Sequence, residues 1–300
     1  MHTGRRVARS TRWILALACI AAVAVPVASA APKATLEPYR GLATWVDIFD
    51  VGLWRDPEGA AASIAERGVR TVYVETSNFS QKVAVLRPVR VARFLEAAHA
   101  EGLEVVAWYL PGFLKPAVDI ERSLAAVRFQ SANGHSFDGF ALDIESHAVN
   151  SVELRNRRLL RIGRELREAV GPDYRLGAII PSPRGLEISP NAWPAFPYTD
   201  LAEQFDVFLP MVYFTYHTTK PKRTRAYVKN SIAILRRETG DPSVRVHVIG
   251  GVGDRVRAGQ TEAFVDVACG AGIMGASMYD FATTSATKWA QLGRLTSCTG

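Results

Sequence analysis

The chain has 300 residues, of which 48% are hydrophobic, and this is enough to bury a large core. It carries 36 Lys and Arg against 29 Asp and Glu. Four arginines and no acid lie within the first 30 residues, so residues 31–300 have 32 basic against 29 acidic side chains, a net charge of +3. So small an excess does not favour a nucleic-acid partner, and we predict none.

Residues 1–30 have the pattern of a secretory signal peptide. Four arginines between positions 5 and 12 precede an apolar run at 13–27, and Ala28-Ser29-Ala30 then forms an A-x-A cleavage site. The apolar run is short for a membrane helix and the cleavage site follows it directly, so we expect cleavage rather than a membrane span. A secreted domain of residues 31–300 is therefore predicted. The paired arginines at positions 5 and 6 leave open whether export uses the general or the twin-arginine route.

Two cysteines remain after cleavage, Cys269 and Cys298. In an oxidising compartment an even pair predicts one disulfide, and two buried free thiols are the alternative. We found no Cys/His cluster with the spacing of metal ligands, so we predict no metal and no cofactor.

Short apolar runs alternate with longer amphipathic ones along the rest of the chain. Strands are predicted at 41–49, 70–75, 103–110, 137–145, 174–181, 205–214, 244–251 and 272–280. Helices are predicted at 56–67, 89–101, 118–131, 151–170, 224–238, 261–270 and 285–295, with a short helix before Phe205.

Eight strand–helix units in strict alternation place the chain in the α/β class. They predict a parallel eight-stranded sheet that closes as a single (β/α)8 TIM barrel. We expect the protein to be a monomer. A doubly wound open sheet is the alternative, but no G-x-G-x-x-G motif follows the first strand.

The fourth predicted strand ends in two acids. In residues 137–145 (FDGFALDIE), apolar residues at 140, 142 and 144 alternate with Ala141, Asp143 and Glu145. The two carboxylates should therefore project on one side, about 7 Å apart. A helix cap or ion pairs with arginines would be the structural explanation for such a pair.

Catalytic groups of TIM barrels lie at the carboxyl ends of the strands. Apart from Asp143 and Glu145, the predicted ends carry Asp47, Glu75, Tyr109, Ser182, Tyr213, Tyr279 and Asp280, with Trp45, Trp108 and Trp193 nearby. Carboxylates suit the protonation of a glycosidic oxygen, and aromatic faces suit the C–H faces of a sugar ring. This combination favours a glycan substrate.

Three motifs resemble those of glycoside hydrolase family 18, the chitinase-like barrels. Residues 138–145 (DGFALDIE) resemble the D-G-x-D-x-D-x-E signature of the family's strand four. Residues 211–213 (MVY) resemble its M-x-Y on strand six, and residues 275–279 (GASMY) resemble its G-x-M-x-W on strand eight. The motifs occur in the family's order, and the chain is identified as a divergent member of this superfamily.

The resemblance implies a role for each matching residue. Glu145 would be the general acid, Asp143 would orient the substrate's 2-acetamido group as nucleophile, and Tyr213 would hydrogen-bond the same group. We expect the remaining residues of the strand ends to bind substrate: Asp47, Trp45, Glu75, Tyr109, Tyr279 and Asp280.

Two positions depart from the family pattern. Ala141 replaces the middle aspartate of the signature, and Tyr279 replaces the strand-eight tryptophan. The departures motivate a second hypothesis, a glycan-binding barrel without catalytic activity. In a third arrangement Glu145 would act with Glu75 or Asp280 on a sugar that lacks an acetamido group. Another hydrolase class ranks last, because no G-x-S-x-G or H-E-x-x-H motif occurs.

Overall fold

Eight parallel strands close into a barrel in sequence order, as predicted. The computed structural model describes residues 1–2 and 35–299, so nearly all of the predicted signal peptide lies outside the described residues. The strands are β1 Gly41–Val46, β2 Thr71–Asn78, β3 Glu104–Leu110, β4 Gly139–Asp143, β5 Leu176–Pro181, β6 Val207–Met211, β7 His247–Val252 and β8 Gly275–Tyr279. The (β/α)8 fold is thereby confirmed.

Helices follow the strands and cover the outside of the barrel. They are α1 Val51–Arg55, α2 Pro57–Ala65, α3 Pro88–Ala100, α4 Pro116–Val127, α5 Val152–Val170, α6 Pro183–Ile188, α7 Tyr198–Gln204, α8 Pro221–Thr239, α9 Gln260–Gly270, α10 Ala286–Leu292 and α11 Leu295–Cys298. None of the helices in the described part of the chain is long and apolar enough to cross a membrane.

The alternation of strand side chains produces two layers of core. Trp45, Tyr73 and Trp108 lie in the cluster that fills the barrel interior. Their strand neighbours, such as Val74 and Tyr109, lie in the larger cluster between the strands and the helices. This alternation therefore determines whether a side chain at a strand end points into the barrel or toward the helices.

A tyrosine closes the amino-terminal end of the barrel. Tyr39, in the 3-10 helix Glu37–Tyr39, donates its hydroxyl hydrogen to the carbonyl oxygens of Phe140 at 2.9 Å and Arg175 at 3.2 Å. Gly275 is required beside it, because a Cβ there would overlap the Tyr39 carbonyl and the His247 ring. With this end filled, a ligand can reach the strand ends from the carboxyl-terminal face.

The predicted disulfide is confirmed. Cys269 near the end of α9 is bonded to Cys298 in α11, with their Cα atoms 5.0 Å apart. The bond joins the last helix to the layer that covers β8.

Candidate active site

Strand β4 places both predicted acids on one side of the barrel mouth. Ala141 lies in the interior cluster, so Asp143 and Glu145 follow it with the same parity. Asp143 is 5% exposed, and its Oδ1 has no hydrogen-bond partner among the described residues. Glu145 is accessible to solvent and lines a cavity. A buried carboxylate oxygen without a partner is uncommon in a folded protein, and its place beside an accessible carboxylic acid points to a functional site.

The two acids hold protons more tightly than ordinary carboxyl groups. Burial raises the pKa of Asp143 well above its ordinary value, and the charges of Glu145 and Glu75 raise it further. Desolvation also raises the pKa of Glu145, because the cavity walls remove water from a carboxylate that is still accessible. A carboxyl group that keeps its proton toward neutral pH can act as a general acid.

Glu75 on β2 is the third carboxylate of this region, and the protein itself binds both of its oxygens. Oε2 accepts a hydrogen bond from the Ile48 backbone N–H at 3.1 Å, and Oε1 accepts one from Asn78 Nδ2 at 2.9 Å. The side chain is 3% exposed, and this burial raises its pKa to about 7 despite those two hydrogen bonds. Glu75 is thus held as a buried neighbour of the strand-four acids.

Tyr213 follows β6 and lies close to both strand-four acids. It adopts a left-handed conformation with φ of 38°, from which the chain continues into the 3-10 helix Phe214–Tyr216. Burial raises the pKa of Tyr213 well above its ordinary value, and Asp143 and Glu145 raise it further. The hydroxyl therefore remains a donor at physiological pH.

Aromatic side chains form the floor beneath these groups. Trp45 stacks on Tyr73 with ring centroids 4.3 Å apart, and its Nε1 donates to Ser277 Oγ at 2.9 Å. Trp45 is only 2% exposed, whereas the neighbouring Tyr279 ring is partly accessible, 6.4 Å from Trp45 and 6.0 Å from Tyr213. Tyr279 is thus the accessible surface of the floor, and Trp45 supports it from below.

A group of acids lies beside β1 and β8, and one of them, Asp47, fixes the Tyr279 side chain. The Tyr279 hydroxyl donates to Asp47 Oδ2 at 2.7 Å, while Asp47 Oδ1 accepts from the Phe49 and Asp50 backbone N–H groups at 2.6 and 3.1 Å. Asp280 accepts from the Thr283 N–H at 2.8 Å. The predicted residues Asp47, Tyr279 and Asp280 are therefore brought together at one edge of the mouth.

Oxygen atoms of Asp47, Asp50 and Asp280 lie within 4.8 Å of one another, an arrangement that hard cations can use. Both Asp47 oxygens already accept hydrogen bonds. Burial raises the pKa of Asp50 to about 7 and also raises that of Asp280, so protonation can relieve the repulsion among the three acids. We assign no metal to this cluster.

The structure places the predicted site residue Tyr109 outside the barrel interior. Tyr109 was expected to bind substrate, but its side chain is fully buried in the layer between strands and helices. Its hydroxyl donates to Asp119 Oδ1 at 2.8 Å. Trp108 projects into the barrel, so the next residue on the strand must project away from it.

The structure adds candidate site residues that were not predicted from the sequence. A cavity of about 300 Å3 beside Glu145 and Tyr213 is also lined by His147, Tyr216 and His217. His147 continues the alternate spacing of Asp143 and Glu145 beyond the strand, which is a signal the sequence contains. His217 follows the M-V-Y motif by four positions, and no simple pattern marks it.

Comparisons with known proteins identify the fold. No protein-family model and no curated protein matches the chain. Among solved structures, an endo-beta-1,4-mannanase from Thermotoga petrophila matches with a TM-score of 0.62 at 10% identity, over 86% of this chain and 76% of that one.

Two chitinases also match. The chitinase from Rhizomucor miehei has a TM-score of 0.58 and 14% identity, over 86% of this chain and 99% of its own. The chitinase from Bacteroides thetaiotaomicron has a TM-score of 0.58 and 11% identity, over 85% and 95%. The chain has the TIM-barrel fold of these glycoside hydrolases, and at such identities the likeness establishes the fold alone.

Proposed function

We propose that this protein is a secreted glycoside hydrolase that cleaves a β-linked glycan containing N-acetylglucosamine. The observation that carries the proposal is the buried oxygen of Asp143, which has no hydrogen-bond partner in the described part of the chain, beside the accessible acid Glu145. The barrel fold shared with chitinases and mannanases supports the reaction class, and the motif resemblance supports the acetamido sugar.

In the proposed reaction the substrate supplies its own nucleophile. The acetamido oxygen attacks the anomeric carbon while the bond to the leaving oxygen breaks, and Glu145 gives its proton to that oxygen. Asp143 accepts a hydrogen bond from the acetamido N–H, and Tyr213 donates one to the acetamido oxygen. Glu145, now ionised, then takes a proton from the water that opens the cyclic intermediate and is thereby restored.

Glu75 compensates in this proposal for the alanine at position 141. Ala141 is fully buried, and it cannot share a proton with Asp143. The negative charge of Glu75 acts on Asp143 and is itself held in place by two hydrogen bonds. Glu75 therefore supplies part of the electrostatic environment that raises the pKa of Asp143, but it is not the nucleophile.

The test is hydrolysis of fluorogenic N-acetylglucosaminides and of matching glucosides and galactosides. We expect release from the acetamido sugars alone, and we expect Glu145→Gln to lower kcat by at least about 100-fold. Glu153→Gln, which alters an exposed glutamate on α5, is the matched control and should remain fully active. Wild-type activity in Glu145→Gln would contradict the assignment.

A glycan-binding barrel without turnover is the second candidate. The observation that favours it is the hydrogen bond from Tyr279 to Asp47, which fixes a smaller ring where the resembled family has tryptophan. Affinity for glycans that is unchanged in Glu145→Gln, with no release from any substrate, would select this alternative.

A further inference from the structure

We infer that His147 is a specificity-determining residue that donates a hydrogen bond from Nε2 to an oxygen of the bound glycan, and that Arg155 holds it in this form. The nature of the ligand rests on the proposed function. His147 lines the same cavity as Glu145 and Tyr213, and it is accessible there.

Arg155 is a buried cation that the protein directs at the histidine. The residue is 2% exposed on the first turns of α5, and its Nη1 lies 3.0 Å from His147 Nδ1 and 3.4 Å from the Val149 carbonyl oxygen. Within residues 1–2 and 35–299, no carboxylate forms an ion pair with Arg155 and its Nε has no hydrogen-bond partner. Burial of an arginine without an acid is costly, so its placement calls for a role.

Trp193 fixes the orientation of the guanidinium. The Arg155 Cζ atom lies 3.9 Å from the centroid of the Trp193 ring, a cation–π contact that offsets part of the desolvation. The indole is fixed in turn, because its Nε1 donates to Asn156 Oδ1 at 2.7 Å and Asn156 Nδ2 donates to the Ala195 carbonyl at 2.8 Å. His147 also packs edge-on against Trp193, with centroids 5.5 Å apart.

This geometry determines where the imidazole proton lies. A guanidinium donates and cannot accept, so His147 Nδ1 must be the acceptor of the Arg155 hydrogen bond. A neutral ring then carries its proton on Nε2, on the edge opposite Arg155. A second proton on Nδ1 would face a positively charged donor at 3.0 Å, so the imidazolium is disfavoured.

The surroundings of His147 also disfavour the imidazolium. Desolvation lowers its pKa, and the charge of Arg155 lowers it further. The other titratable groups of the cavity are Glu145, Tyr213, Tyr216 and His217. When it is ionised, Glu145 stabilises the imidazolium. Because the pKa of Glu145 is itself raised, its carboxyl group becomes neutral as the pH falls, and this stabilisation is then reduced. His147 thus remains a neutral donor, which suits a hydroxyl or amide oxygen of a neutral sugar.

The first experiment observes the imidazole by long-range 1H–15N NMR in protein labelled at histidine, with His147→Gln used to assign the signals. We expect His147 to be the Nε2–H form at pH 7 and to become protonated only at a lower pH than an ordinary histidine. In Arg155→Met the ring should show both tautomers and titrate closer to its ordinary pKa of about 6.5. A wild-type ring that is protonated on Nδ1 at pH 7 would overturn the inference, even if Arg155→Met does not fold.

The second experiment measures the affinity of tri-N-acetylchitotriose by calorimetry in the Glu145→Gln background. Adding His147→Phe should weaken binding about 3- to 10-fold, because one neutral hydrogen bond is lost. His147→Gln should recover part of it, since its amide nitrogen reaches a position near that of Nε2, and Glu153→Gln is the neutral control. Equal affinity in His147→Phe overturns the inference and leaves the proposed function intact, whereas no binding by any variant contradicts the proposed ligand.

Discussion

The buried, ionisable side chain of Glu75 makes the free energy of unfolding depend on pH. Its pKa is raised from 4.5 to about 7 in the folded protein, so the folded state binds this proton more tightly than the unfolded state. The stabilising contribution is fully present below pH 4.5 and is lost as the pH rises through about 7.

Glu75→Gln should remove this dependence, because an amide does not titrate. Between pH 4.5 and 7 the free energy of unfolding of the wild type should fall relative to that of the variant by about 3 kcal/mol. Urea unfolding at several pH values measures the difference, and Glu153→Gln is the exposed control. Parallel curves for Glu75→Gln and wild type would refute the raised pKa.

Part of the site was predictable at the level of single residues. The alternation in β4 correctly directs Asp143 and Glu145 to one side, because each apolar neighbour must face the helices. The same alternation could not predict whether Trp108 or Tyr109 faces the barrel interior, because an aromatic side chain fits either of the two core layers. The partners of Tyr109 and of Arg155 lie on other elements, and their contacts depend on tertiary structure.

At the scale of elements, the disulfide fastens the end of the chain. Cys269 and Cys298 are 29 residues apart, and α11 packs against both α9 and β1. Replacing both cysteines by serine should lower the free energy of unfolding by about 3 to 4 kcal/mol, mainly through the greater entropy of the unfolded chain.

Urea unfolding tests this effect of the disulfide. The midpoint of Cys269→Ser/Cys298→Ser should shift to lower urea, and wild type in reducing buffer should unfold at a similar concentration. An unchanged midpoint would show that packing alone holds α11 in place.

The positions of the elements were predicted more accurately than their ends. The strand predicted at 205–214 ends at Met211, because Tyr213 adopts a left-handed conformation and a 3-10 helix follows. The final predicted helix, 285–295, is divided at Gly293 into α10 and α11. The Pro-rich segment after β5 contains α6 as well as the predicted short helix, which is α7.

At the scale of the whole molecule, the strict alternation of strands and helices was sufficient to predict the barrel. The fold alone does not identify the substrate, because mannanases and chitinases share it with this chain at 10–14% identity. In the proposed function the distinction depends on the groups at the mouth. Asp143 Oδ1 has no hydrogen-bond partner among the described residues, whereas both oxygens of Glu75 accept hydrogen bonds from the protein.

The central claim is that the substrate's acetamido group is the nucleophile. The most direct measurement compares kcat/KM for fluorogenic N-acetylglucosaminides whose acetyl group carries zero, one, two or three fluorine atoms. Each fluorine withdraws electrons from the amide oxygen, so we predict a steep, progressive fall in rate, about 100-fold or more across the series. Equal rates across the series, with Glu145 still required, would contradict participation of the acetamido group, and the nucleophile would then be an enzyme carboxylate or an activated water.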